Sequence, residues 1–517
     1  MKRRNFLRTS ALSTVPVMLN GMKLGAMPFP LALSQGEEND RVLVIIQLNG
    51  GNDGLNCVIP IDQYSALSNL RSNILIPEGS VLGIEPTLGL HPKMTGLQSL
   101  YGDGEMAIVQ GVGYPNQDRS HFRSTDIWTT GSDANEFLST GWLGRYFNED
   151  HPLYPEGYPN EDYDAPFALT MGSLVSETCQ GPLTNYSLAL NDPFALAPLS
   201  ESELGNLPNN NYGNELGFLI DAIAQTNAYS GVILDAAESG NNMATYPDGN
   251  RLAIQLKNVA LLIAGGLKTK VYVCSLGGFD THAAQVDGET TEGTHAQLLD
   301  QLSGAVKAFQ EDLKQLGVDE RVLTMTFSEF GRQIRSNNSD GTDHGTAAPL
   351  MLFGPCVKPG VLGDNPQISL DSEPQAGVPM QYDFRSIYAT VLRDWIGVGE
   401  SDIYDILNPE VQFLPLIEGC SLSTAIQQEM FTETHFRLYP NPASAFTTLE
   451  WQSNGQAWTA TLLDKWGHEV QVWKGPKASK QLMTQRINLA PVPAGHYFIH
   501  LRQGNQSVTR AIALQGF

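Results

Sequence analysis

Three short stretches hold residue types that can do chemistry: Gly277-Gly278-Phe279-Asp280-Thr281-His282, Ser328-Glu329-Phe330-Gly331-Arg332 and Asp343-His344-Gly345. Asp, Glu and His without cysteine point to divalent cations. Imidazole-rich positions suit zinc, manganese or iron, and carboxylate-rich ones suit magnesium, calcium or manganese. Asp280 and His282 stand two apart, so an extended backbone turns both to one side. Asp343-His344 can add His344, with Asp343 beside it. Asp53, in Asn49-Gly50-Gly51-Asn52-Asp53-Gly54, and Glu329 are candidates for a second, oxygen-rich position. Two ions side by side clamp the attacking and leaving oxygens of a phosphoryl or sulfuryl transfer. Blander roles compete: a simple turn at Asn52-Asp53-Gly54, a turn former in Asp343, and a structural ion pair of Glu329 with Arg332. His295 lies in a helical stretch where packing or capping accounts for it.

Such a reaction also wants a nucleophile. Asp118-Arg119-Ser120-His121-Phe122-Arg123-Ser124 leads into a helical pattern and sets Ser120 at its start. There the free N–H groups and the helix dipole favour an anion. Arg119 and Arg123 can hold its oxygens, and His121 completes the candidate catalytic set. The competing role for Ser120 is a plain N-cap.

These residues need a frame to bring them together. Arg41–Leu48, Glu105–Gly111, Lys268–Leu276, Arg321–Phe327 and Pro349–Phe353 are apolar runs that predict buried strands. Asn250–Ile263, Thr294–Leu316 and Tyr382–Ile396 repeat at helical spacing. The alternation predicts an α/β fold with a doubly wound, mainly parallel sheet, whose ligands sit beyond the carboxyl ends of its strands. Asp53, Asp280, His282 and Glu329 all fall at such ends. Segments 131–170 and 180–249, rich in Asn, Pro, Gly and Tyr, read as surface insertions, a lid or substrate wall. With 41% apolar and 17% charged residues the composition is that of a folded protein. A net charge of −24 offers no basic face to nucleic acid. Five scattered cysteines show no thiolate metal spacing and no disulfide framework, at most one bridge; Cys274 and Cys356 read as core.

Both ends carry addresses. Lys2-Arg3-Arg4-Asn5-Phe6-Leu7-Arg8, followed by a mild apolar stretch, resembles a twin-arginine export signal over residues 1–34. Pro16, Pro28 and Pro30 break that stretch, so no transmembrane helix is expected in the mature chain. From Phe436-Arg437-Leu438-Tyr439-Pro440-Asn441-Pro442 onward, strand alternation and turn signals predict a small all-β sandwich over 430–517. It resembles the type A C-terminal sorting domain of type IX secretion. A carbohydrate-binding sandwich is the alternative, but Trp451, Trp458, Trp466 and Trp473 read as core or cross-strand residues, not a sugar platform.

Taken together, Asn49–Asp53, Ser120-His121-Phe122, Gly278–His282, Ser328–Arg332 and Asp343–Gly345 resemble the secreted family called domain of unknown function 1501, over residues 40–425. That family is similar to the alkaline phosphatase and sulfatase superfamily, so the resemblance implies an alkaline phosphatase-like sheet with two metal ions. It implies Ser120 as nucleophile and Asp53, Asp280, His282 and His344 as ligands. Glu329 falls where the superfamily has an Asp-His pair. Phe330 follows it instead of histidine, so one ligand is missing or is supplied by Asp343 or His121. No Cys/Ser-x-Pro-x-Arg sulfatase signature is present. The expectation is an exported, metal-dependent hydrolase of phosphate or sulfate esters, small-molecule or glycan. It would be delivered by the twin-arginine and type IX machineries to the cell surface or beyond. A non-catalytic surface protein on the same fold is the alternative.

Overall fold

The computed structural model describes residues 39–195, 226–407, 411–420 and, with short breaks, 436–514. The twin-arginine segment lies outside the described residues. Nine strands build the main sheet: β1 (Val42–Asn49), β2 (Met106–Gly113), β3 (Ala168–Thr170), β4 (Ser187–Ala189), β5 (Val271–Gly277), β6 (Val322–Phe327), β7 (Ala348–Phe353), β8 (Gly360–Leu362) and β9 (Tyr382–Asp383). Their order is β8-β2-β7-β6-β1-β5-β3-β4, with β9 also pairing β2. All pairs are parallel except those of β7, which runs antiparallel to both β2 and β6.

β1 explains the two-sided architecture. Every second side chain of a strand faces the same way. Val42, Val44, Ile46 and Leu48 enter one core, and Leu43 and Ile45 enter the other. The first core is covered by the helices Arg251–Ala264 and Thr294–Leu316, the second by α1 (His121–Thr130), the helix Trp142–Asp150 and the helix Phe384–Thr390. Asn250 caps its helix by accepting from the N–H groups of Leu252 and Ala253.

Three expectations change. Tyr382–Ile396 is not one α-helix: Tyr382 and Asp383 pair with Val112 and Gly113, α-helix runs over Phe384–Thr390, and a π-turn segment follows over Val391–Ile396. Asp383 sets the start, accepting from the Arg385 N–H. The two insertions are not merely surface wall, since β3 and β4 extend the sheet and Phe147, Tyr154, Phe167 and Tyr186 belong to its core. Residues 196–225 lie outside the described ones. Finally, Cys356 is buried but paired: it forms a disulfide with Cys420, 64 residues away. Cys57, Cys179 and Cys274 are free and buried.

Strands Phe436–Tyr439, Phe446–Gln452 and Leu482–Asn488 form one antiparallel sheet of the C-terminal region. Glu469–Gly475, Trp458–Leu463, Gly495–Gln503 and Gln506–Leu514 form the other. Leu449, Trp451 and Ile487 from the first meet Trp458, Leu462, Ile499 and Leu501 from the second in one core, so the region is an all-β sandwich. Trp451 and Trp458 lie inside it with ring centroids 5.2 Å apart, and form no external platform.

Candidate metal centre

The loops that follow β1, β5 and β6 meet at one end of the sheet, and the backbone is tight there. Gly50 has φ +122°, and a Cβ on it would lie 2.3 Å from the Asp280 nitrogen. Only glycine lets the β1 loop pass so close beneath Asp280. Asn49 accepts from the N–H of Phe279, and the Gly345 N–H donates to Gly331, which ties the 331 and 345 loops together. On the other side, the Ser124 hydroxyl of α1 donates to the Glu329 carbonyl, fixing the start of α1 against the end of β6.

This framework gathers four side chains. The Oδ1 of Asp280 lies 3.2 Å from His282 Nε2, 3.3 Å from His344 Nε2 and 3.4 Å from His121 Nε2. His282 Nε2 and His344 Nε2 are 2.9 Å apart. His121, Asp280 and His344 each present a ligand atom within 4.8 Å of the others.

The far nitrogen of each ring shows what state the near one is in. His282 Nδ1 donates to Asp343 Oδ1 at 2.8 Å, His121 Nδ1 to Glu329 Oε1 at 2.8 Å, and His344 Nδ1 to the Arg119 carbonyl at 2.7 Å. Carboxylates and carbonyls only accept, so these partners place a proton on each Nδ1. Each Nε2 in turn lies 3.2–3.4 Å from Asp280 Oδ1. The His121 Nε2 is buried and makes no hydrogen bond, despite the Asp280 oxygen 3.4 Å away. The donor set therefore fits a divalent cation, and the Nδ1 contacts are those that orient metal-bound imidazoles.

Electrostatics agree. Burial works against a charged Asp280, but the hydrogen bond and charge of Arg332, with help from His121 and His344, hold its carboxyl at about 2. The hydrogen bond from His282 draws Asp343 below the usual carboxylate range. Burial lowers His344, although the Arg119 carbonyl opposes it.

The expected residues divide. Asp280, His282 and His344 come together, and His121 joins them as the third imidazole. Glu329 and Asp343 meet the Nδ1 atoms of the His121 and His282 rings. Glu329 is 2% exposed, and its Oε1 also takes the Gly50 N–H at 2.8 Å. It makes no pair with Arg332, which instead binds Asp280 at 2.8 Å. Asp53 is not brought to the cluster. Arg71 grips both its oxygens, at 3.0 and 2.8 Å, and Gln285 donates to one at 2.7 Å. Among the described residues a second group of ligands is not gathered. Phe330 packs its ring on His121 and His344, with centroids 4.9 and 4.7 Å away. His295 is buried and pairs with the Asn52 side chain at 2.9 Å, outside the cluster.

Ser120 is exposed at the N-cap of α1, and its side chain makes no capping bond. The first N–H groups of α1 are thus left without a side-chain cap, beside His121. Arg119 donates to the carbonyls of His344 and Gln375 and so supports the His344 loop. Arg123 donates to Asp126 and to the carbonyls of Asp133, Ala134 and Glu136. Sequence reasoning missed Arg71 and Gln285. Neither stands near a motif, and only the fold brings them to Asp53.

Residues 262–395 match a family model described as a protein of unknown function (DUF1501), and residues 437–515 match a secretion system C-terminal sorting domain. The first match contains Asp280, His282, Glu329, Asp343 and His344. The second marks the chain for type IX export to the cell surface or beyond. No helix among the described residues is long and apolar enough to cross a membrane. No curated protein matches the chain. Among similar solved structures is a Bacteroides thetaiotaomicron protein from work on glycosaminoglycan metabolism, at 11% identity and TM-score 0.34, covering 87% of this chain and 90% of that one. Another is a protein in the alkaline phosphatase superfamily from Vibrio parahaemolyticus, at 11% identity and TM-score 0.31, covering 86% and 79%. A third is a phosphonate monoester hydrolase from Silicibacter pomeroyi, at 10% identity and TM-score 0.33, covering 92% and 88%.

Proposed function

We propose that this exported chain is a metal-dependent hydrolase of phosphate or sulfate esters, with Ser120 as nucleophile. The observation that carries the reading is the convergence of three imidazole Nε2 atoms and the Asp280 carboxylate, each ring locked through its Nδ1. His121, Asp280, His282 and His344 would hold a divalent cation. When bound, it supplies positive charge close to the oxygens of the ester. The rest of the chemistry belongs to the chain's own residues.

Ser120 precedes the ligand His121, and the N–H groups that open α1 are not capped by its side chain. An anionic phosphate or sulfate group suits that helix end. The Ser120 Oγ forms a bond to phosphorus or sulfur and gives up its proton to solvent. The bond to the ester oxygen breaks with its electron pair, and the leaving alcohol takes up a proton. Water then releases phosphate or sulfate from the seryl ester and restores Ser120. Phe122, 91% exposed on the first turn of α1, offers an apolar face to the alcohol part of the substrate. An aryl or sugar group suits it.

A panel of aryl phosphates and sulfates, assayed with metal-loaded protein across pH, tests the reading. Turnover is expected, and Ser120→Ala and His344→Ala should each lower it by about a hundredfold or more. No turnover with any ester would remove the hydrolase. Turnover untouched by Ser120→Ala would keep the hydrolase and remove the nucleophile.

A further inference from the structure

We infer that this centre takes one ion, of the zinc class and not calcium or magnesium, and that Arg71 and Arg332 are fixed cations holding the two aspartates of the site. The inference rests on the ligand assignment above but needs no catalysis to be true.

The donor set is three nitrogens and one carboxylate. Calcium and magnesium take oxygen ligands, six or more, whereas imidazole suits zinc and its neighbours in the first transition row. The remaining carboxylates are already engaged. Glu329 accepts from Gly50 and His121 through Oε1 and from the Ser328 hydroxyl through Oε2. Asp343 accepts from His282 and Asn337. Asp53 is bound fork to fork by Arg71, with both side chains almost wholly buried. A second dication there would sit against a guanidinium that has no solvent to move into.

Arg332 does the matching work at Asp280. Its side chain is fully buried, and its donors reach the carbonyls of Gly51, Thr342, Gly50 and Phe279 as well as Asp280 Oδ1. It thereby fixes the β1, β5 and 342 loops around the carboxylate that the three imidazoles share. Lysine has no planar fork and cannot hold these directions at once. Arg332 is a positioning residue in this scheme, and Arg71 closes Asp53 to metal.

The full chain, stripped with a chelator and dialysed, is titrated calorimetrically with Zn²⁺, Mn²⁺, Ca²⁺ and Mg²⁺ alone, and the ions retained are counted by elemental analysis. One zinc per chain is expected, with no saturable calcium or magnesium binding. His121→Ala and Arg332→Lys should each weaken zinc binding by about 10–100-fold while the count stays at one. The double variant Asp53→Asn/Arg71→Met, which removes both buried charges, should keep one zinc at near-unchanged affinity. Two ions per chain in the natural protein would overturn the inference, and so would a preference for calcium or magnesium. Because no substrate is present, failure here is separate from failure to find an ester that turns over.

Discussion

His282 and His344 face each other through Nε2 at 2.9 Å, each with its Nδ1 tied to an acceptor. A cation held by both rings would bind the folded chain and not the unfolded one. Adding zinc to stripped protein should therefore raise the thermal midpoint. The linked stabilisation reaches about 2.7 kcal/mol at a hundred times Kd. His344→Ala should lose most of that rise, as read by scanning fluorimetry with and without metal.

Glu329 ties the ends of β1, β6 and α1 together through Gly50 and His121. Glu329→Ala leaves a buried N–H and an imidazole unheld. Metal affinity should fall by about 10–100-fold, and denaturant unfolding should show a loss of about 1–3 kcal/mol. Unchanged affinity in the folded variant would refute the positioning role.

Asp53 and Arg71 are paired and buried, with side-chain exposures of 1% and 0%. Asp53→Ala strands the Arg71 charge and should cost about 3–5 kcal/mol. A urea titration checks it, with zinc affinity as the control that should move little. If Asp53 were a ligand, the affinity would collapse instead.

His91 and His295 stack edge to face beneath the site, with centroids 6.3 Å apart. Burial, then His295 and Lys93, lowers His91 from 6.5 to about 3, and burial lowers His295 to about 4 against the pull of Asp53. Below pH 6.5 the unfolded chain takes up protons that the folded one refuses. Their contribution to stability is thus complete above about 6.5 and is lost as pH falls toward 4 and then 3. Roughly 2 kcal/mol should go at each by about pH 5. Unfolding free energy measured from pH 7 to 4 should fall, with a shallower slope in His91→Gln.

The Cys356–Cys420 bridge closes the last described stretch of the α/β region onto the turn after β7. A loop of this length is worth about 4 kcal/mol in chain entropy. Cys420→Ser, or reduction of the natural protein, should lower stability by about 2–4 kcal/mol, read by denaturation with and without reductant. An exported chain meets the oxidising conditions in which such a bridge persists.

The sequence by itself determined much of this protein. Runs such as Val42–Asn49, apolar on both faces, specify strands buried between two layers. Asp280-His282 and Asp343-His344 were legible because their spacing is local and their strands announce themselves. The C-terminal sandwich was legible from alternation and turn residues. What only the tertiary structure decided is which atom meets which. His121 reaches Asp280 because α1 docks beyond the end of β6, where His121 meets Glu329, 208 residues away along the chain. Asp53 is withdrawn because Arg71 and Gln285, 18 and 232 residues away, close on it. Glu329 and Asp343 meet imidazoles because the folded loops turn the Nδ1 side of each ring to them. The physical reason is one: sequence spacing sets residue types and local direction, while the direction of a lone pair and the partner of a buried charge depend on strand order.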